Sequence, residues 1–307
     1  NVFVIDWYDK QQCHNQGNPA VHDRSNGRIF KISYGEKKGT KIDLGKLSSP
    51  ELSATLRHAN AWQARHGARL LQERGPDKAL ANELREALRT TGAIREFTDR
   101  PVSNGTIAAV LDDARFAPSG GNRQAWHVIV VRDPDVRRRV ADVYLDYWHD
   151  YVAHLLAGLI PFSPTASEAD RALAASKRAD AEALSRADGF AENLATVPAM
   201  LVVCAHLDVL VATDRDVDRF PLASGASLYP FVWNILLAAR EHDLGGVLTT
   251  MALRGEPELR DTLGLPHGWA MAAVVALGYP TQRATKLRRR EVTEFTTLDT
   301  FDGPAFG

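Results

Sequence analysis

Lysine and arginine are distributed unevenly along this chain of 307 residues. Seven of the nine lysines lie before residue 90, whereas 20 of the 22 cations after it are arginine. Residues 1–90 carry 15 Lys+Arg against 10 Asp+Glu, and residues 91–307 carry 22 against 28, so balances of +5 and −6 lie beneath a formal net charge of −1. Two such regimes imply two units of different character rather than one continuous core. The length permits this, since domains run to about 100–150 residues. An apolar content of 45% with 24% charged residues argues against disordered, collagen-like or coiled-coil classes. The near-neutral balance gives no global reason to bind nucleic acid or an anionic membrane. The longest apolar runs, at 155–162 and 270–277, are far below the ~20 residues of a spanning helix. No charged start followed by an apolar core is visible, so a cytoplasmic location is expected.

The first regime opens with an apolar run over 1–6 and a turn-rich stretch over 11–27, followed by mixed residues at 28–34, which read as isolated strand pieces. Ser49 as N-cap and Pro50 at the first helical position start a helix that Gly75-Pro76 stops, with Leu52, Leu56 and Ala59 on its apolar face. A second helix follows from Asp77, with Leu80, Leu84 and Leu88 at four-residue spacing. Cys13, His14, His22 and Asp23 include metal-ligand types but lack the spacing of a four-ligand zinc site. The two cysteines, Cys13 and Cys204, form no redox or disulfide pattern, and Cys204 within an apolar run reads as an inert buried thiol.

These N-terminal residues, namely 1–10, 23–32, and 47–52 running on to Arg69–Gly75, resemble the end of a sorbosone-dehydrogenase-like β-propeller, also described as membrane-bound dehydrogenase-like. Only part of one blade is present over 1–47, followed by a helical connector over 48–87. A propeller needs several blades to close, so no quinone cofactor or sugar oxidation is inferred.

From Leu88 the signals strengthen. Ser103 caps a helix with Ile107, Val110, Leu111 and Ala114 on one face. That helix ends in Ala117-Pro118-Ser119-Gly120-Gly121-Asn122-Arg123-Gln124-Ala125-Trp126. Such a loop suits a flat polar ligand, because glycines admit close backbone approach and Ser119, Asn122 and Gln124 supply donors and acceptors. Strands are expected at 126–131, 200–207, 246–250 and 270–278. A largely buried helix spans 224–242. Between 140 and 195 come the aromatics Tyr144, Tyr147, Trp148 and Tyr151, then an Ala-rich charged helix over 167–193, with Arg178 and Glu182 at four-residue spacing. This region reads as a helical flap over a site.

In order and spacing, Thr91-Gly92-Ala93-Ile94-Arg95-Glu96-Phe97, Pro101-Val102, the 117–126 loop, Leu244-Gly245-Gly246-Val247-Leu248-Thr249-Thr250, Leu277-Gly278-Tyr279-Pro280 and Arg288-Arg289-Arg290 resemble the nitroreductase family of FMN flavoproteins. The similarity spans residues 88–295, leaving 296–307 as a tail. The resemblance implies an α+β fold with a mixed sheet flanked by helices, and a homodimer with FMN at the subunit interface. It places Arg95 on the pyrimidine side of the flavin. Arg289, with Arg288 beside it, falls at the phosphate, and Thr249 and Thr250 lie near N5. It brings Pro118, Ser119, Gly120, Asn122 and Gln124 to the flavin, with Ser119 reaching it from the opposite subunit. Where many members carry Arg, Arg or His, and Ser, this chain has Thr91, Gly92 and Ala93, so a phosphate cation and a hydroxyl are missing. Gln124-Ala125-Trp126 stands for the family's Gln-Pro-Trp, and Glu291 for a common proline.

The function so implied is an oxidoreductase in which NAD(P)H reduces FMN and an electrophilic small molecule, such as a nitroaromatic, quinone or enone, is then reduced. Reductive dehalogenation on the same fold is the enzymatic alternative. A binding or vestigial protein with weakened FMN affinity is the non-enzymatic one. No Ser-His-Asp order, phosphate loop, HExxH, paired-carboxylate signature or GxGxxG fingerprint competes.

Overall fold

The computed structural model describes residues 2–6, 28–32, 42–75 and 78–307. The turn-rich stretch at 11–27, the Cys13, His14, His22 and Asp23 group, and most of the propeller-like segment lie outside them. The chain divides into two compact units, Asn1–Leu80 and Ala81–Gly307.

In the first unit, β1 (Val2–Asp6) and β2 (Arg28–Ile32) form an antiparallel pair with Val4 opposite Phe30, so the expected strand pieces find each other. The single helix expected over 49–75 is two helices, α1 (Ser49–Thr55) and α2 (Ala61–Arg74). The break has a local cause: Asn60 is extended, and its side chain accepts from the Trp62 amide at 2.9 Å, starting a new helix. Ser48, rather than Ser49, is the first cap, its amide and hydroxyl each donating to the Glu51 carboxylate at 2.7 Å. Leu52 is fully buried, whereas Leu56 is exposed. Arg74, at the end of α2, donates to the carbonyls of Leu47 and Gly45.

Helix α3 (Lys78–Thr90) crosses the boundary between the units. Of its stripe, Leu84 and Leu88 are 62% and 51% exposed among the described residues. The second unit is built on four strands, β3 (Trp126–Val131), β4 (Ala199–His206), β5 (Gly245–Thr249) and β6 (Trp269–Gly278), in the order β3-β4-β6-β5. The strands fall within one residue of expectation because β4 and β6 are continuous apolar runs buried on both faces. Every pairing among them is antiparallel, which corrects the expected mixed sheet. The helical connection from β4 to β5 joins strands running the same way, but β6 inserts between them.

Helices cover both faces. Helices α4 (Asn104–Ala114) and α8 (Tyr229–Glu241) pack with Leu201, Val203, Val275 and Leu277 on one side. On the other, α5 (Pro134–Leu156) and α9 (Glu256–Leu263) pack with Met200, Val202, Val274 and Ala276. Ser103 caps α4 as expected, accepting from the Thr106 amide at 3.0 Å. Helix α8 starts late because Pro230 needs a first-turn position, and a short 3-10 turn at Ala223–Ser227 precedes it. The Ala-rich segment is not one helix: α6 (Glu168–Ser176) and α7 (Arg178–Ala183) are separated at Lys177. The break lets Arg178 turn onto α5, where its guanidinium reaches Asp146 at 2.5 Å and Asp150 at 2.6 Å while still holding Glu182 at 2.7 Å. Among the described residues, no helix is long and apolar enough to cross a membrane.

Candidate functional site

The segment 91–98 runs beside the sheet at the end of β6. The Ile94 amide donates to the Gly246 carbonyl at 2.9 Å, and Thr98 to Tyr279 at 2.8 Å. This close approach needs glycine: a side chain at Gly245 would collide with Ile94, and one at Gly246 with the Ala276 carbonyl. Thr91 is buried, and its hydroxyl is spent, donating to the Ala87 carbonyl at 2.6 Å and accepting from Arg240 at 3.2 Å. Its side chain is therefore not free for a phosphate. Gly92 and Ala93 lie between two anchored amides, Thr91 to Ala87 and Ile94 to Gly246.

Arg95 is exposed, without a carboxylate within 4.0 Å among the described residues, and its guanidinium lies 6.0 Å from the centre of the Phe190 ring. It opens onto a slot of about 210 Å³ whose walls include Tyr144, Trp148 and Phe190. Tyr144 and Trp148 stack at 6.4 Å, and Phe190 meets Tyr144 edge-on at 6.1 Å. At the rim, His149 Nε2 lies 2.8 Å from the Ser185 hydroxyl, which donates to Glu192 at 2.8 Å. With the hydroxyl proton given to Glu192, His149 serves as donor to the oxygen. The set ties α5 to the segment after α7 and is not a nucleophile with its base.

Thr249 ends β5 and is buried, and Thr250 begins the 3-10 turn Met251–Gly255. The Tyr144 phenol meets the Thr249 side chain. Burial pushes its ionisation up, while that hydrogen bond and the nearby Arg95 charge pull the other way. Tyr144 thus lies near both Arg95 and Thr249. Sequence reading placed it in the flap without this role, because the contact spans more than a hundred residues.

Arg288 and Arg289 are exposed beside Leu287, which packs where a side chain on Gly92 would reach. The Arg289 guanidinium donates to the Arg288 carbonyl at 2.7 Å. Two cations nearby, Arg240 half-buried and Arg283 exposed, were not singled out from sequence. Arg240 donates to Thr90 and Thr91, and Arg283 to the Leu244 carbonyl at 3.2 Å. Burial and then the Arg240 charge lower the Arg283 ionisation. Arg240 sits in the last turn of α8, where cations are favoured, so its sequence signal is that of ordinary capping; Arg283 lies in the irregular segment after β6.

The 117–126 loop is elsewhere. Gly121, Asn122 and Gln124 adopt positive φ (58°, 52° and 49°), coiling the chain so that the Ser119 hydroxyl accepts from the Gln124 amide at 3.0 Å. The Gly120 amide donates to Ser227 at 3.0 Å, while the Gln124 side chain donates to Asn122 at 3.2 Å. Pro118, Asn122 and Gln124 are exposed. Trp126 pairs with Ala205, which pairs with Ala270 at the start of β6; Gly246 pairs with Leu277 near its end. Seven residues at ~3.4 Å and three inter-strand steps of ~4.8 Å put the loop roughly 25–30 Å from segment 91–95 in one chain. The fold therefore gathers 91–95, 249–250 and 287–289 into one region and leaves 118–124 at the far corner of the sheet.

Cys204 is buried in β4, and burial raises its thiol to about 11, in keeping with an inert role. Among the described residues, no cluster of metal-ligating side chains is present.

The chain is similar to an NADH dehydrogenase of Thermus thermophilus, at 29% identity over 62% of this chain and 83% of the relative. It is also similar to a nitrobenzene nitroreductase of Ectopseudomonas oleovorans, at 25% identity over 69% and 95%. Iodotyrosine deiodinase 1 of Rattus norvegicus is 24% identical over 67% of this chain and 65% of its own length. Among solved structures, NfrA1 of B. megaterium superposes with a TM-score of 0.51 at 16% identity, covering 72% of this chain and 75% of that one, a likeness of fold. The nitroreductase family model matches residues 88–279, more than half of the chain, and so with its helix-covered antiparallel sheet the chain belongs to the nitroreductase family.

Proposed function

We propose that this chain is an FMN-dependent NAD(P)H oxidoreductase that works as a homodimer and reduces small electrophiles such as nitroaromatics, quinones or enones. The observation that carries the reading is the division of the ligand-facing residues into two sets at opposite corners of one sheet, each with polar groups still unspent. A second copy would bring the 117–126 loop of one protomer to the 91–95 segment of the other. The exposed apolar side chains Phe116 just after α4, Trp233 on α8, and Phe220 and Leu222 in the segment that precedes α8 supply the kind of surface such an association buries.

The residues fit a flavin mononucleotide in chemical kind. Arg95, without a carboxylate partner among the described residues, suits the pyrimidine edge, where it would stabilise negative charge. The Gly92 and Ala93 amides with Arg288 and Arg289 suit the phosphate, in place of the missing arginine and serine. Bound there, FMN supplies hydride acceptance from NAD(P)H and hydride delivery to the acceptor. This chain's own residues bind, orient and exclude water. Thr249, with Tyr144 close by, would face the flavin, and the slot walls Trp148 and Phe190 would offer flat apolar surface to an aromatic acceptor. The reading includes a cytoplasmic setting, where NAD(P)H is at hand.

Similarity to iodotyrosine deiodinases over two-thirds of the chain supports a second reading, reductive dehalogenation of halogenated tyrosines in the same slot. The purified chain is expected to carry a visible flavin spectrum and to oxidise NAD(P)H with a quinone or nitroaromatic. Halide release from halotyrosine in place of nitro or quinone reduction would favour the second reading. A colourless protein that neither binds added FMN nor oxidises NAD(P)H with it would refute both and leave a non-catalytic binding protein.

A further inference from the structure

A second cavity, of about 390 Å³, opens on another face of α5, between that helix, the 157–167 loop and α6. Its size falls within the ~300–1,000 Å³ of small-molecule sites. It shares no lining residue with the Arg95 slot. Tyr144, Trp148 and Val152 line the slot, while Asp150, Ala153 and His154 line the cavity, as the helical repeat of 3.6 residues dictates.

Two features give this cavity a chemical character. The first is charge. Arg171 and Arg254 both line it, and among the described residues neither has a carboxylate within 4.0 Å. Asp150 also faces it, but its carboxylate is taken by Arg178 at 2.6 Å. The Arg254 guanidinium lies 4.3 Å over the Phe162 ring and 5.5 Å from that of Tyr147, stacked but without an anion. Arg171 spends one N–H on the Ala166 carbonyl at 3.0 Å.

The second is shape. Ala153 and Ala174, both buried, face each other from α5 and α6 and leave the space open. Phe162 closes one end at φ +54°, an unusual conformation for a bulky side chain, and is held there by Arg254 and by the His154 ring at 4.8 Å. The turn carrying Arg254 is pressed onto α5 so closely that any side chain at Gly255 would collide with Val143, which fixes the cation at the cavity. The result is a space with one apolar wall of Phe162, Ala153 and Ala174 and a polar side that carries two arginines without a carboxylate partner among the described residues.

We propose that this cavity binds a small carboxylate with a flat apolar body, an aromatic carboxylate being the class that matches it, at a site separate from the flavin-side slot. The carboxylate meets Arg171 and Arg254, and the ring lies against Phe162 and the two alanines. Arginine suits this task because its planar fork pairs with a carboxylate in two parallel bonds. The inference needs no cofactor and stands apart from the proposed oxidoreductase activity.

Titration calorimetry on the full chain with benzoate tests it, with benzyl alcohol as the uncharged match in size. Saturable benzoate binding, one per chain, is expected, with benzyl alcohol weaker by about tenfold or more. Arg254→Met and Arg171→Gln are each expected to weaken benzoate by about tenfold, and Ala175→Phe, which fills the cavity mouth, to abolish it. Arg171 and Ala175 are exposed, so those two variants keep the test valid if Arg254→Met unfolds. Arg95→Met is expected to leave benzoate binding unchanged. No benzoate binding, equal binding of benzyl alcohol, indifference to both Arg171→Gln and Ala175→Phe, or loss only in Arg95→Met would each overturn the proposal.

Discussion

Gly246→Ala tests how the fold positions segment 91–95. The Gly246 carbonyl accepts the Ile94 amide at 2.9 Å, and Gly246 pairs with Leu277 in the sheet. A methyl group there would stand 2.5 Å from the Ala276 carbonyl oxygen and 2.5 Å from Leu277 Cδ2. The side-chain contact can relax by rotation, but the backbone contact requires β5 to shift against β6. Overpacking of this kind costs about 1–3 kcal/mol. At about 2 kcal/mol, a unit of this size loses roughly 4–8 °C in melting temperature. Because the shifted carbonyl carries Ile94, the neighbouring Gly92, Ala93 and Arg95 move with it. FMN affinity should fall by about tenfold, as expected when a site departs from its geometry by more than ~0.5 Å. Gly92→Ala is the control: its nearest neighbour is the Leu287 side-chain tip at 3.0 Å, which can move aside, and a cost under about 1 kcal/mol is expected. Thermal melting and flavin fluorescence titration on both variants measure this. Equal behaviour of Gly246→Ala and wild type would refute the reasoning that Gly246 sets the segment's place.

Other outcomes follow from the same geometry. Arg95→Met should leave the melting temperature unchanged, since the side chain is exposed and unpaired, while weakening FMN by about 10- to 100-fold, the worth of a charge-assisted hydrogen bond; a large fall in melting temperature would assign Arg95 a structural role instead. Arg178→Ala should loosen α7, speeding amide exchange over 178–193 by about tenfold or more with exchange in β4 and β6 unaffected; uniform exchange changes would contradict a local latch. Asp214, buried and accepting from the Leu222 and Ala223 amides and from Arg219, is held at about 2 by those bonds. A lowered carboxylate contributes stability that is complete above its unfolded value of about 4 and is lost as pH falls from there through about 2. Urea unfolding of Asp214→Asn should show a shallower acid loss over that window than wild type, and identical slopes would remove Asp214 from the acid response.

Much of the second unit was legible because its signals are local. β4 and β6 are runs of Ala, Val, Leu and Met long enough only for buried strands, and Ser103 marks its helix by residue type. Arrangement was less legible. Nothing in the residues of β5 announces that β6 inserts beside it, so the sheet's antiparallel pairing emerged only from the structure. The break at Lys177 was hidden by alanine's helix propensity, which the grip of Arg178 on Asp146 and Asp150 overrides. Leu84 and Leu88 kept their helical spacing but face outward, since periodicity shows that a face is apolar and not what covers it. At the proposed site, the resemblance pointed to Arg95, Thr249 and Ser119, yet the engagement of Thr91 by Arg240 and the nearness of Tyr144 to Thr249 depend on distant parts of the chain.

The central claim is that the flavin site is shared between two copies, and subunit complementation tests it most directly. Ser119→Trp, blocking the loop, and Arg95→Glu, reversing the charge in the 91–95 segment, should each abolish FMN retention as homodimers. Co-expressed, a heterodimer of the two would carry one doubly altered site and one native site, so flavin absorbance at about half the wild-type occupancy is expected. Heterodimers that remain colourless would place Ser119 and Arg95 in the same chain's site, or in no common site, and contradict the account.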